Sequence, residues 1–323
     1  MQYPDFLKKK DTIGICAPSA GVGKKLVEYE ESLSVLKNAG YQIKETASVR
    51  INDVRSNSAS IRAREFHELL ADDEVSFIGF AAGGDYMYEM LGDVDFDMIR
   101  KHPKWLMGAS DPTNLLYPVT TLLDIATIYG YNAGGYSLDG GRSNDDNLRI
   151  IAGDIIKQKS YGFYKTFLDE IDGNDIKHPV NWKSDNDFKA EGRLIGGCFD
   201  VISTLMGTPF DGAKDFIRRY QDDGIIWYFD NYARNSFDFY LTLLQMKYAG
   251  YFEHCRAVLL GRHAFGNEEN MTYYEAMKRV LGAIPFAYDL DIGHTTPCMT
   301  LINGSYATFE ISGNKGSIVM ELR

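Results

Sequence analysis

Trp105-Leu-Met-Gly-Ala-Ser-Asp-Pro-Thr-Asn-Leu-Leu116 begins apolar, passes through small residues and continues with the composition of a helix. The stretch predicts a strand, a sharp turn at Ser110 and a helix. A serine on such a turn is pushed out of the backbone at the positive end of the following helix. An exposed hydroxyl there can reach a carbonyl carbon, and the next backbone N–H can hold the oxyanion. That N–H belongs to Asp111, and Pro112, which has none, falls one place later in a first helical turn that tolerates it. On this stretch alone the commoner reading is humbler, with Ser110 as an N-cap and Asp111 as a first-turn acid.

Working outward, residues 12–17 (Thr12-Ile-Gly-Ile-Cys-Ala17) form a short apolar run, followed by a turn cluster, a helical pattern over 24–39 closed by Gly40, and a strand over 41–46. Strand–helix–strand order predicts a parallel α/β sheet. Gly21-Val-Gly-Lys-Lys25 looks superficially like a phosphate loop, but Pro18 and Lys25 stand where that motif needs Gly and Ser or Thr. A helix is expected over 58–70 and a strand over 75–80. The strand runs into Ala81-Ala-Gly-Gly-Asp85 at a carboxyl end, where open α/β sheets bind ligands. Gly83, Gly84 and Asp85 are therefore candidates to touch a substrate, Gly84 also as a second oxyanion donor, although a plain tight turn fits as well. Further helices are expected over 90–101 and 147–157, and a strand over 125–130.

Residues 158–190 turn polar and irregular, which makes them the candidate linker between a domain at 1–157 and one at 191–323. Trp182 within that segment is either an anchor or a stacking platform for a ligand; we carry it as a candidate substrate contact. Beyond it come a helix over 199–206, a buried run ending in Asp230, a helix over 237–249, a strand over 257–261 and three alternating strands between 299 and 322. Asn303-Gly304 is a hairpin signal. The fold class is thus α/β: an N-terminal flavodoxin-like or Rossmann-like parallel-sheet domain, then a β-rich C-terminal domain with little strict strand–helix alternation.

Composition limits the function. The 323 residues are 45% hydrophobic and 24% charged, as in ordinary globular proteins, and the net charge of -11 argues against a nucleic-acid partner. No secretory signal or bilayer-spanning run is read, so no membrane partner is expected and the cytoplasm is the default location. Cys16, Cys198, Cys255 and Cys298 are scattered and read as reduced thiols. No metal-ligand spacing is found, and no Gly-x-Gly-x-x-Gly supports a dinucleotide.

His294, in Gly293-His-Thr-Thr-Pro297, and Asp230, leaving a buried strand, complete a Ser…Asp…His order with Ser110. The residues 13–19, 81–85, Gly108-Ala-Ser-Asp-Pro-Thr113, Gly196-Gly197 with Leu205-Met-Gly-Thr-Pro209, and Gly293-His-Thr-Thr-Pro297 occur in one order along the chain. In that order they resemble the LD-carboxypeptidase family of serine peptidases, which includes the microcin C immunity peptidases. The resemblance implies Ser110 as nucleophile, His294 as general base and Asp230 in the place of the family's glutamate. It also implies a cleft between the domains, no cofactor and often a homodimer. Its substrates would be the L,D bond of murein tetrapeptides or, alternatively, peptidyl and aminoacyl nucleotides. This chain departs from the family pattern at Asp230, Asn231, Ala109 and Pro112. An aspartate is one methylene shorter, so it must reach the imidazole by a backbone shift or through water. A cleft-binding homologue without catalysis is the competing reading.

Overall fold

A computed structural model describes residues 1–323, and its contacts divide the chain into two compact units, Met1–Ile156 with Thr300–Asn303, and Lys157–Met299 with Gly304–Arg323. The first unit runs β1 (Thr12–Cys16), α1 (Leu26–Asn38), β2 (Gln42–Glu45), α2 (Ala59–Ala71), β3 (Val75–Phe80), α3 (Phe96–Lys101), β4 (Trp105–Gly108), α4 (Thr113–Leu123), β5 (Thr127–Tyr129) and α5 (Gly141–Ile151). The second runs β6 (Lys157–Lys159), β7 (Phe163–Tyr164), α6 (Phe167–Ile171), β8 (His178–Pro179), β9 (Lys183–Ser184), β10 (Phe188–Cys198), α7 (Phe199–Leu205), α8 (Ala213–Arg219), β11 (Ile225–Asp230), α9 (Ser236–Tyr248), β12 (Cys255–Gly261), α10 (Tyr273–Leu281) and β13 (Phe286–Leu290). The chain then returns to the first unit for β14 (Leu301–Asn303) and ends in the second with β15 (Tyr306–Ser312) and β16 (Lys315–Glu321).

The first sheet has the order β14-β5-β4-β3-β1-β2, and all its pairs are parallel except β14 with β5. Its central strands are buried nearly throughout, which is why they read as unbroken apolar runs rather than alternating ones. Two helices differ from the sequence reading. The helix expected over 90–101 is interrupted, because residues 87–93 form a 3-10 turn and the extended Asp95 caps α3 by accepting from the Met98 N–H at 3.0 Å. The helix expected over 147–157 overlaps only the last turns of α5, which runs Gly141–Ile151; the chain leaves the helix there and Lys157 opens β6. The buried residues of α5 are Ser143, Asn144, Asn147, Ile150 and Ile151, and three polar members hid the periodicity. Asn147 has work to do there: its side chain donates to Thr300 Oγ1 at 2.7 Å and accepts from the Tyr136 hydroxyl at 2.5 Å, holding the returning segment.

The second sheet has the order β6-β16-β15-β10-β11-β12-β13-β9. It is rich in strands, but β10 to β13 pair in parallel with helices between them, so strand and helix alternate there after all. The sequence reading missed α8 and α10, although Thr272 and Glu275 form a complete capping box at the start of the latter. Residues 158–190 are no linker: β6 and β9 form the two edges of this sheet. Asn303-Gly304 closes no hairpin, since β14 and β15 lie in different sheets. All four cysteines are free thiols. No helix is long and apolar enough to cross a membrane.

Candidate active site

The sequence-derived residues fall into two groups, one in each unit. In the first unit β4 ends at Gly108, and Ser110 takes φ +68°, in the left-handed region. A non-glycine residue holds that conformation only where its surroundings over-determine it. Here they do. The Ser110 N–H donates to the Tyr129 hydroxyl at 3.0 Å, and its carbonyl accepts from the Thr113 N–H at 2.9 Å. The Asn132 amide grips Ala109 on both sides, accepting from its N–H at 3.0 Å and donating to its carbonyl at 3.3 Å. Pro112 occupies the cap position of α4, and Ser110 lies two residues before it, so the N-cap reading of Ser110 does not hold.

Gly83 packs on this turn: a Cβ there would stand 3.1 Å from the Ser110 Cβ and 3.4 Å from its Oγ. Gly84 has φ +147°, and a Cβ would come within 2.4 Å of the Ser19 Oγ, so only glycine fits. Asp85 is exposed beside them. Asp111 is buried, 4% exposed, and its carboxylate accepts from the Ser19 hydroxyl, from the Met87 N–H at 2.8 Å and from the Asn114 amide at 2.6 Å. Burial pushes its carboxyl above the usual range, while the Ser19 and Met87 bonds pull it back. None of the hydrogen bonds that hold the turn uses the backbone N–H of Asp111 or Gly84.

In the second unit Asp230, at the end of β11, is fully buried, and His294 lies in the loop after β13. The His294 Nδ1 stands 2.8 Å from Asp230 Oδ2 and 3.0 Å from Oδ1. The shorter carboxylate therefore reaches the imidazole directly, without a bridging water. It does so because Gly293 lets the loop press onto the carboxylate, where a Cβ would lie 1.9 Å from Oδ1. Burial disfavours the His294 cation, but the Asp230 charge and hydrogen bond outweigh that and raise its pKa above the ordinary 6.5. The Tyr232 ring lies 4.5 Å from the imidazole, and Phe167 stands edge-on to it at 6.0 Å.

Two residues that the sequence reading passed over hold this loop from below. Asp291 and Arg262 form a buried ion pair, and Arg262 also donates to the Leu290 carbonyl and the Thr295 hydroxyl, each at 3.2 Å. The signal that singled out Asp230, a charged residue leaving a buried strand, applies equally to Arg262 after β12. Trp182 belongs to the same brace. It is 2% exposed, stacks on Phe309 at 5.9 Å and donates from Nε1 to Asp291 at 2.9 Å. The expectation of Trp182 as a substrate contact is thereby corrected, since both its ring and its N–H are spent on the core. No group of three or more His, Cys, Asp or Glu is placed to hold a metal ion.

Gly293 gives a sharp prediction. Gly293→Ala adds both the clash with Asp230 and strain at φ +95°, whereas Gly173→Ala, at φ +68° just past α6 with open space around it, adds left-handed strain alone. Gly293→Ala should lower stability by more than the roughly 1–2 kcal/mol expected of Gly173→Ala. It should also abolish the raised His294 pKa; thermal melting and NMR titration of the imidazole check both.

Residues 13–130 match the family model described as the LD-carboxypeptidase N-terminal domain, and residues 191–309 that described as the C-terminal domain. A putative carboxypeptidase, YocD of Bacillus subtilis (strain 168), is 27% identical over 96% of this chain and 97% of its own length. A probable murein peptide carboxypeptidase of the same organism is 28% identical over 64% of this chain and 60% of its own. Among solved structures, MccF in complex with glutamyl sulfamoyl guanosine superposes with a TM-score of 0.84 at 21% identity, covering 99% of each chain. Both domain models match in their order along one chain, and on that ground the protein belongs to the LD-carboxypeptidase family of peptidases.

Proposed function

We propose that the chain is a serine peptidase that uses Ser110, His294 and Asp230 to hydrolyse the L,D amide near the carboxyl end of a murein tetrapeptide. The observation that carries the reading is the His294–Asp230 contact at 2.8 Å, with the aspartate fully buried. With Nδ1 committed to Asp230, proton exchange falls to Nε2. His294 takes the Ser110 proton as Oγ attacks the carbonyl carbon, then gives it to the leaving amine of the terminal D-amino acid. Water, activated by the same imidazole, releases the acyl group and restores Ser110. The backbone N–H groups of Asp111 and Gly84 hold the oxyanion, and Gly83 and Asp85 border the substrate. The chain needs no cofactor for these steps.

Two observations support this reading. Ser110 is half-buried on a turn at φ +68° between β4 and α4, the strand–turn–helix setting that nucleophiles use, and a relative with 28% identity is named as a probable murein peptide carboxypeptidase. A stacking Trp182 would have favoured nucleotide-bearing substrates, and Trp182 is in the core. The test is to give the purified protein a murein tetrapeptide and, separately, a glutamyl sulfamoyl nucleoside. Release of the terminal D-amino acid, with Ser110-dependent labelling by a fluorophosphonate, is the expected result. Cleavage of the nucleoside conjugate alone would move the substrate to the microcin type, and neither cleavage nor labelling would favour the cleft-binding homologue. The proposal extends to a cytoplasmic homodimer, whose mass light scattering measures.

The pH profile follows from His294. Only the neutral imidazole accepts the serine proton, and its pKa is raised, so kcat/KM should fall on acidification through a limb centred above pH 6.5. The same shift stabilises the fold below the unfolded imidazole's pKa, and that contribution disappears as pH rises through the folded value. A limb at or below 6.5 would contradict the pairing.

A further inference from the structure

Gly83 and Gly84 have no side chains to fix them, yet a donor at Gly84 is useful only if it is held still against Ser110. Three contacts in the first unit do this. The Gly83 carbonyl accepts from the Ala20 N–H at 3.2 Å. Arg62, 1% exposed, donates to the Pro18 carbonyl at 2.7 Å and the Tyr86 carbonyl at 2.9 Å, joining residues 18–20 to the far end of the loop. The Asp111 carboxylate, one residue past the nucleophile, binds the Ser19 hydroxyl and the Met87 N–H through one oxygen, Oδ2. Ser19 is itself fully buried against Gly84.

We propose that the Asp111 side chain is a positioning residue for the oxyanion hole: through Ser19 and Met87 it ties the glycine loop to the nucleophile turn, so that one residue supplies one donor from its backbone and sets the other with its carboxylate. This rests on the serine-peptidase reading. Its chemistry asks for an acceptor at the Oδ2 position, not for a charge. Asparagine can supply that acceptor. Its NH2 would then face the Asn114 Nδ2, which must turn away and give up its bond to the Asp111 backbone carbonyl at 3.1 Å, bringing round the buried Asn114 Oδ1, which has no other partner, as the acceptor.

The test uses the full chain and four variants, Asp111→Ala, Asp111→Asn, Ser19→Ala and, as a control, Thr120→Ala. Thr120 is fully buried on α4, and its hydroxyl pairs with the Thr127 hydroxyl at 2.9 Å, with no bond to the glycine loop or the nucleophile turn. Asp111→Ala and Ser19→Ala should lower kcat on a murein tetrapeptide by roughly 10²-fold with KM little changed, and slow fluorophosphonate labelling in parallel, because both reactions use the oxyanion donors. Asp111→Asn should recover part of that loss, and Thr120→Ala should lower the melting temperature without lowering kcat. If Asp111→Ala does not fold, Ser19→Ala decides. A labelled, active wild type whose Ser19→Ala and Asp111→Ala variants keep kcat, or lose only KM, overturns this inference alone. A wild type that neither labels nor turns over overturns the peptidase reading, and this inference with it.

Discussion

Ser110→Ala should remove turnover of a murein tetrapeptide almost completely, by a factor on the order of 10⁴–10⁶, while leaving the fold intact. The loss is large because the proposed acyl-enzyme route needs Oγ as its attacking atom, and alanine has none. The fold survives because the hydrogen bonds that hold the turn run through backbone atoms, from Ser110 N–H to Tyr129 and from Thr113 N–H to the Ser110 carbonyl. Ser110→Gly sharpens the point. At φ +68° glycine is free of the left-handed penalty, so this variant should be as inactive as the alanine and more stable by roughly 1 kcal/mol. A gain in melting temperature with loss of activity would show strain retained for function. Ser110→Ala keeping a tenth of the wild-type rate would end the nucleophile assignment.

Asp230 carries the second large effect. Asp230→Asn should lower kcat about 10⁴-fold, since an amide favours the wrong imidazole tautomer and no longer stabilises the cation. The residual activity should show its acid limb at lower pH, because the anion that raises the His294 pKa is gone. Asp230→Glu is the more discriminating experiment. The family resemblance makes glutamate the ordinary residue here, yet this structure has no room for it. The Gly293 backbone presses on the carboxylate, and Asp230 is fully buried. The added methylene must push the histidine loop away. A displacement near 1 Å can cost about 10² in rate, and overpacking costs about 1–3 kcal/mol in stability. Asp230→Glu should therefore be slower and less stable than the wild type. A faster Asp230→Glu enzyme with an unchanged melting temperature would show that the aspartate is a defect rather than one half of a matched pair with the loop.

Much of this was legible from local chemistry. The apolar runs ending in Gly108 and Asp230 announced their strands, because a strand buried on both faces leaves a continuous signal. Turn residues marked where each run delivers a polar side chain, so Ser110, Asp230 and the Gly83-Gly84 loop could be picked out one by one. Helices with polar positions on their buried stripe were not legible: α5 hides behind Ser143 and Asn147, whose partners Tyr131, Tyr136 and Thr300 lie elsewhere in the chain. A period-3.6 pattern marks burial only where burial is apolar.

The sequence by itself marked the apolar strands, the α/β class and the three side chains proposed for the chemistry, since each leaves a signal within a few residues. Only the tertiary structure decided that β14 leaves its neighbours for the first sheet, that residues 158–190 build sheet edges, that Trp182 is a brace and that a short aspartate meets the imidazole. Those outcomes depend on pairings between residues 64 to 176 positions apart, such as Asp230 with His294 and Thr127 with Asn303. No local propensity encodes such pairings; the chain finds them only when its buried polar groups must be satisfied by whatever the packing brings near.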